Sequence, residues 1–170
     1  VNLRSNNMEF SFFLTAQIII MISFLLFNFP KAKMFLGDSG SYLLGSLIAL
    51  NTIITNNFNP QISSFFFCIL LFYLFFEVFF SFIRKTYQGK SPVLPDNEHM
   101  HMLSFKKISV IFGEKNANYI NSVIINCIFL ALVLPSIPFA DNSLVCKYWF
   151  FTLILIYSLF YIRLYRLTKN

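Results

Sequence analysis

The chain has 170 residues, 57% of them hydrophobic and only 12% charged, with a mean hydropathy of +0.68. Soluble domains carry about 25% charged residues, so this composition excludes an ordinary soluble enzyme; the 24 Phe and 8 Tyr suit lipid-facing and interfacial positions instead. The formal charge of +6 does not mark a nucleic-acid binder, because the basic residues fall in short groups beside apolar stretches and form no stripe with surface aromatics.

The chain opens on Val1, and Arg4 alone cannot form the charged head of a secretory signal, so the sequence reads as a part cut from a longer protein, with an unusual start codon as the alternative. Apolar stretches follow at about 10–28, 41–56, 62–83, 118–138 and 147–164, each near the roughly 20 residues that cross ~30 Å of hydrocarbon. The second is short, which is tolerable if its N-terminal end lines a wet cavity. Asn56-Asn57 with Asn59-Pro60 reads as the turn before the third stretch, and the Phe-rich run Phe65–Phe82 reads as a lipid-exposed helix. Cys68, Cys127 and Cys146 are dispersed and suggest no disulfide framework. The predicted fold is all-α: one polytopic transmembrane helix bundle over residues 1–170, with about five spans and a polar loop over 84–117.

Five crossings put the termini on opposite sides. Eleven of the thirteen Lys and Arg then share one side, against Arg4 and Lys147 on the other. Basic residues favour the cytoplasmic side, so loop 84–117 and the turn at Asp38 are expected to face the cytoplasm and the N-terminus of the chain to face outward.

Two segments could carry chemistry. The first, Gly37-Asp38-Ser39-Gly40-Ser41, sets one carboxylate at the mouth of a membrane helix. Its glycines suit a bend or a close approach, and Ser39 and Ser41 suit helix capping. A helix N-terminus attracts phosphate, and a hard carboxylate beside it attracts Mg²⁺; a plain Asp-Ser helix cap is the alternative reading. The second, Gly89 to Met102, is the most polar stretch and holds both histidines. His99 and His101 point the same way in an extended strand but diverge by about 200° on a helix, so a shared ligand would imply a non-helical loop; two solvated loop histidines are the alternative. Glu77 interrupts the third apolar stretch seven residues before Arg84, so it is expected either to serve a functional site or to pair with Arg84 on the same helix face. Lys31 and Lys33 mark topology and would attract anionic lipid or nucleotide.

These segments resemble, in order, the glycine-aspartate-x-glycine-serine and histidine-loop motifs of the polyprenyl-phosphate N-acetylhexosamine-1-phosphate transferases, the MraY/WecA family. The first match runs Pro30-x-Ala-Lys-x-Phe-Leu-Gly-Asp-Ser-Gly-Ser41 and the second Gly89-Lys-Ser-Pro-x-x-Pro-Asp-x-x-His-x-His101. Met102 stands where many relatives carry a further histidine, and no aspartate precedes Asp38, although the family's adjacent aspartates normally do. The resemblance therefore covers the C-terminal half of such an enzyme, and the chain alone is expected to be inactive.

The resemblance implies a bacterial plasma-membrane enzyme that moves a sugar-1-phosphate from a UDP-sugar to a polyprenyl phosphate such as undecaprenyl phosphate, releasing UMP and requiring Mg²⁺. Such a step serves peptidoglycan, lipopolysaccharide or other cell-envelope polysaccharide synthesis. It makes Asp38 the metal ligand, His99 and His101 the histidines near the sugar nucleotide, and Lys33, Gly37, Ser39, Gly40, Ser41 and Glu77 candidate substrate contacts. A homodimer is a further expectation. The rival from another class is a non-catalytic transporter segment or assembly subunit that keeps Asp38 and Glu77 for ion binding; the absence of an internal repeat and the gathering of polar residues at one face favour the enzyme.

Overall fold

A computed structural model describes residues 8–30 and 33–169; Val1, Arg4 and Lys31, used above, lie outside the described residues. Helices account for most of these residues, as the composition led us to expect. They fall into two units, Val1–Ser64 and Phe65–Asn170.

The first unit holds α1, Met8–Asn28, and α2, Gly37–Phe58. Isoleucines 18–20, Leu25 and Leu26 all stand exposed on α1, the pattern of a helix whose solvent is lipid. A polar contact joins the two helices: Asn51 Nδ2 donates to Gln17 Oε1 at 2.6 Å. Between them Asn28 Oδ1 accepts the backbone N–H groups of Lys33 and Met34 at 3.0 and 2.8 Å, folding the corner that leads into α2. That helix starts four residues earlier than expected and is 22 residues long. Its hydroxyls bond back to carbonyls one turn earlier, as Ser46 does to Tyr42 and Thr52 to Ile48, so they need no outside partner. The turn at Asn59-Pro60 forms as expected, closed by Asn59 N–H on Asn56 O and Ile62 N–H on Asn59 O.

The second unit comprises α3 (Ser64–Leu70, with Ser64 at the boundary), α4 (Phe72–Tyr87), α5 (Met100–Phe112), α6 (Glu114–Val133), a 3-10 helix over Leu134–Phe139, and α7 (Ser143–Lys169). The expected span 62–83 is broken: α3 and α4 meet at 77°, with Leu71 out of helical conformation at φ −101°, ψ 5°. No Pro or Gly marks this break. Instead Phe150 of α7 sits in the angle, its ring centroid 6.0 Å from Phe65, 5.9 Å from Phe72 and 6.1 Å from Phe75. Such aromatic pairs contribute about 0.5–1.5 kcal/mol each, and together they favour the bend that surrounds the ring.

Among the described residues three helical segments are long and apolar enough to span a bilayer: Met8–Asn28, Glu114–Phe139 and Ser143–Lys169. A fourth is added if the bent pair α3–α4 crosses as one. The expected count of about five is not reached, because α2 has the length but carries too many polar side chains. The chain is an integral membrane protein of polytopic helical type. Loop 84–117 also departs from expectation by containing α5, which Gly113, at φ 75° and ψ 151°, joins directly to α6.

Candidate active site

In the first unit, Gly37 begins α2 at φ 68°, a left-handed conformation that only glycine adopts without strain. Gly40 has a different reason: a Cβ there would meet Leu36 Cδ1 at 2.7 Å, so its bare backbone makes room for that side chain. Ser39 and Ser41 do not cap the helix. It already starts at Gly37 with no side-chain cap, and Ser41 Oγ donates to Asp38 O at 2.9 Å. Asp38 is exposed in the first turn of α2, and its carboxylate has no hydrogen-bond or ion-pair partner among the described residues. Lys33 is exposed as well.

The second unit builds a denser site around Glu77. This carboxylate is buried on α4. Its Oε1 accepts the Met100 N–H at 2.8 Å and lies 3.2 Å from His99 Nδ1; its Oε2 accepts the Tyr157 hydroxyl of α7. The first N–H groups of any helix lack intrahelical acceptors. His99, at the N-cap of α5, supplies no cap of its own, and Glu77 supplies one from another helix, where the helix dipole also favours its charge. Glu77 is thus buried and bonded to α5 and α7, and it is not paired with Arg84.

The backbone also decides how the histidines meet. His99 is extended, at φ −67° and ψ 150°, while Met100 and His101 are already helical, so the expectation of a wholly non-helical loop is corrected. The switch of conformation between them still brings the rings into a stack, with centroids 5.6 Å apart. His99 Nε2 lies 3.6 Å from Asp96 Oδ1, and His101 Nδ1 3.9 Å from Glu77 Oε1. The His99 side chain is 24% exposed and that of His101 51%, so His101 is the ring more open to a ligand.

Two cations on α4 fold the preceding loop back. Arg84 pairs with Asp96 and Glu98, both at 2.6 Å. Lys85, buried, donates to Leu94 O at 2.6 Å, and Tyr161 of α7 donates to Glu98 O at 2.9 Å. Burial pushes the Asp96 carboxyl up, but the hydrogen bonds from Arg84 and from the Glu98 amide, with the charges of Arg84 and Lys85, outweigh it and hold the group below the usual carboxylate range. On the other side of the stack Asn121 of α6 donates to His101 O at 2.8 Å and accepts from Ser104 at 2.7 Å. Beside this network lies an apolar cavity of about 180 Å³ walled by α4 to α7, with Phe72, Ile128, Leu153 and Tyr157 among its lining residues.

Tyr157 and the pairing of Arg84 with Asp96 and Glu98 were not foreseen from sequence. Asp96 and Glu98 stood in plain view within the polar stretch, but Tyr157 lies 80 residues from Glu77 and no spacing rule links them.

With the geometry in place, comparison with known proteins shows what the chain resembles. The sequence profile of the family described as Glycosyl transferase family 4 matches residues 1–56, a segment that includes Asp38 but neither histidine. The chain is 36% identical over 88 residues to the undecaprenyl-phosphate alpha-N-acetylglucosaminyl 1-phosphate transferase of Thermotoga maritima, covering 52% of this chain and 29% of that protein. It is 28% identical over 116 residues to the decaprenyl-phosphate N-acetylglucosaminephosphotransferase of Mycolicibacterium smegmatis, covering 58% and 29% respectively. It is also 29% identical over 96 residues to the phospho-N-acetylmuramoyl-pentapeptide-transferase of Fervidobacterium nodosum, covering 55% and 30%. The chain thus spans less than a third of the length of the curated relatives it matches. No solved structure matches it. The resemblance expected from the two motifs is therefore found, over part of the chain.

Proposed function

We propose that this chain forms part of a membrane transferase that moves an N-acetylhexosamine-1-phosphate from a UDP-sugar to a polyprenyl phosphate, with release of UMP. The observation that carries the reading is the Gly37-Asp38 turn: it lies inside the family match, and its carboxylate is exposed at a helix N-terminus with no partner among the described residues. The donor set suits Mg²⁺. No group of three or more His, Cys, Asp or Glu among the described residues could hold a metal, and Mg²⁺ is typically bound through one or two carboxylates plus substrate phosphates, keeping several waters. Asp38 would be one such ligand. When bound, the ion neutralises charge on the phosphoryl oxygens of the two anionic reactants.

The chain's own groups do the remaining work assigned here. The free N–H groups and dipole at the start of α2 favour a phosphate near Asp38. His101, half-exposed beside the tethered His99, offers a ring nitrogen to the sugar nucleotide. The apolar cavity between α4 and α7 offers walls compatible with an isoprenoid tail. The Asp38 turn and the histidine loop each face the cytoplasm of a bacterial plasma membrane, where nucleotide sugars are supplied.

Membranes containing the full-length protein, given UDP-N-acetylhexosamines and polyprenyl phosphate, are expected to release UMP only with Mg²⁺. Asp38→Asn should lower that release at least about 100-fold, beyond the usual effect of losing an outer-shell partner. Full turnover by Asp38→Asn would remove the metal assignment, and no UMP release from any such donor would remove the transferase reading.

A further inference from the structure

We propose that Tyr157 and Glu77 form a positioning pair that fixes the proton of His99 on Nδ1 and presets the stack of His99 on His101. The proposal deepens the transferase reading, and rests on it only for what the histidines then do. Two donors and one ring nitrogen converge on one buried carboxylate: the Met100 N–H and, at 3.2 Å, His99 Nδ1 at Oε1, and the Tyr157 hydroxyl on Oε2. A carboxylate that accepts all three leaves His99 a single role at Nδ1, that of donor. Its other nitrogen is then turned toward Asp96, which Arg84 holds in place.

The anchor is rigid on every side. Tyr157 is itself buried, with its ring against Phe76 at 5.0 Å and Phe80 at 5.3 Å, so its hydroxyl cannot wander from Glu77. Met100, whose N–H shares Oε1 with His99, is the first residue of α5. Holding that amide sets where the helix begins, and hence the turn that lays the His101 ring on the His99 ring. Tyr157 touches neither ring of the stack in this arrangement; it acts through Glu77 and is a positioning residue.

The test is side-chain NMR of the chain, ¹⁵N-labelled at histidine, in lipid nanodiscs. His99 is expected to show a protonated Nδ1 whose hydrogen exchanges slowly with solvent. Tyr157→Phe, which keeps the ring packing, should speed that exchange at least tenfold, and Glu77→Gln should abolish the protected signal. Tyr165→Phe, a neighbour on α7 outside the Glu77 bonds, should change nothing. An unprotonated His99 Nδ1 in the parent chain, or exchange unchanged in Tyr157→Phe, would overturn the proposal; if Tyr157→Phe did not fold, Glu77→Gln would decide it by the same signal. In the full-length protein Tyr157→Phe should lower kcat about tenfold with KM within twofold. Because the NMR signal needs no turnover, failure of the transferase reading and failure of the positioning pair give different results.

Discussion

Between Arg84 and Glu98 every charged side chain has a partner, whereas the turn at Asp38 leaves its carboxylate without one among the described residues. Arg84, Lys85, Lys90, Asp96 and Glu98 are all within ion-pair distance of one another's charges, and Glu77 is filled by donors from two other helices. Asp38 stands exposed in the first turn of α2. The difference separates two ways of preparing a site. A loop whose charges are already satisfied is preorganised and holds its geometry without a ligand. A free carboxylate holds no geometry but keeps its full acceptor capacity for whatever binds.

The largest expected effect tests that contrast directly. Arg84→Met would take from Asp96 and Glu98, mostly buried, the cation at 2.6 Å and leave them only Lys85 and Lys90 at 3.9 and 3.8 Å, and breaking a buried pair costs about 3–5 kcal/mol. Asp38→Asn should change stability by no more than about 0.5 kcal/mol, the range for exposed side chains without partners. Unfolding in mixed detergent micelles, followed by the emission of Trp149, the single tryptophan, measures both. Equal losses at the two positions would erase the distinction.

Gly113 tests the preorganised side by another route. Its φ of 75° with ψ of 151° lies in a region essentially closed to other residues, and it joins the helix that begins at the histidines to the span α6. Gly113→Ala should cost about 1–3 kcal/mol of backbone strain, read in the same unfolding experiment.

Much of this was legible in sequence, and the limits have physical causes. Long apolar runs identified α1, α6 and α7, because a bilayer admits few other structures for such stretches. The bend at Leu71 was not legible, since it comes from the position of Phe150 in a distant helix and not from a local breaker. The count of five treated α2 as a span by spacing, but its hydroxyls and amides place it below the others in apolarity. Asp38 and the histidines stood out as polar groups in an apolar chain. Their conformations did not, because the switch from extended His99 to helical His101 is set by Glu77, another element's side chain. Glu77 itself was noticed for being acidic in a span, but its true partners are 22, 23 and 80 residues away.

Acid should loosen the histidine loop. The folded Asp96 carboxyl lies below its usual range, so folding releases its proton more readily than the unfolded chain does. Its contribution is complete above the ordinary aspartate value of about 3.9 and is lost as pH falls through the lower folded value. Asp96→Asn should therefore flatten the acid limb of stability measured by Trp149 emission between about pH 5 and 2. An unchanged limb would mean that Asp96 is not the group that titrates.

The smallest effect lies in the first unit, where Asn51 of α2 donates to Gln17 of α1. The Gln17 Nε2 is already buried without a hydrogen-bond partner in the described structure, so Asn51→Leu would leave the amide with nothing to bond at either end. Polar pairs between membrane helices average about 0.6 kcal/mol and reach about 1.7, because the separated helices find other partners in the membrane. Hydrogen exchange across α2 should accordingly rise by about threefold, and by no more than about twentyfold, while exchange in α4 to α7 stays as before. A larger rise would mean that this pair organises the first unit as firmly as Arg84 and Glu77 organise the second, and the open character assigned to the Asp38 turn would then need another cause.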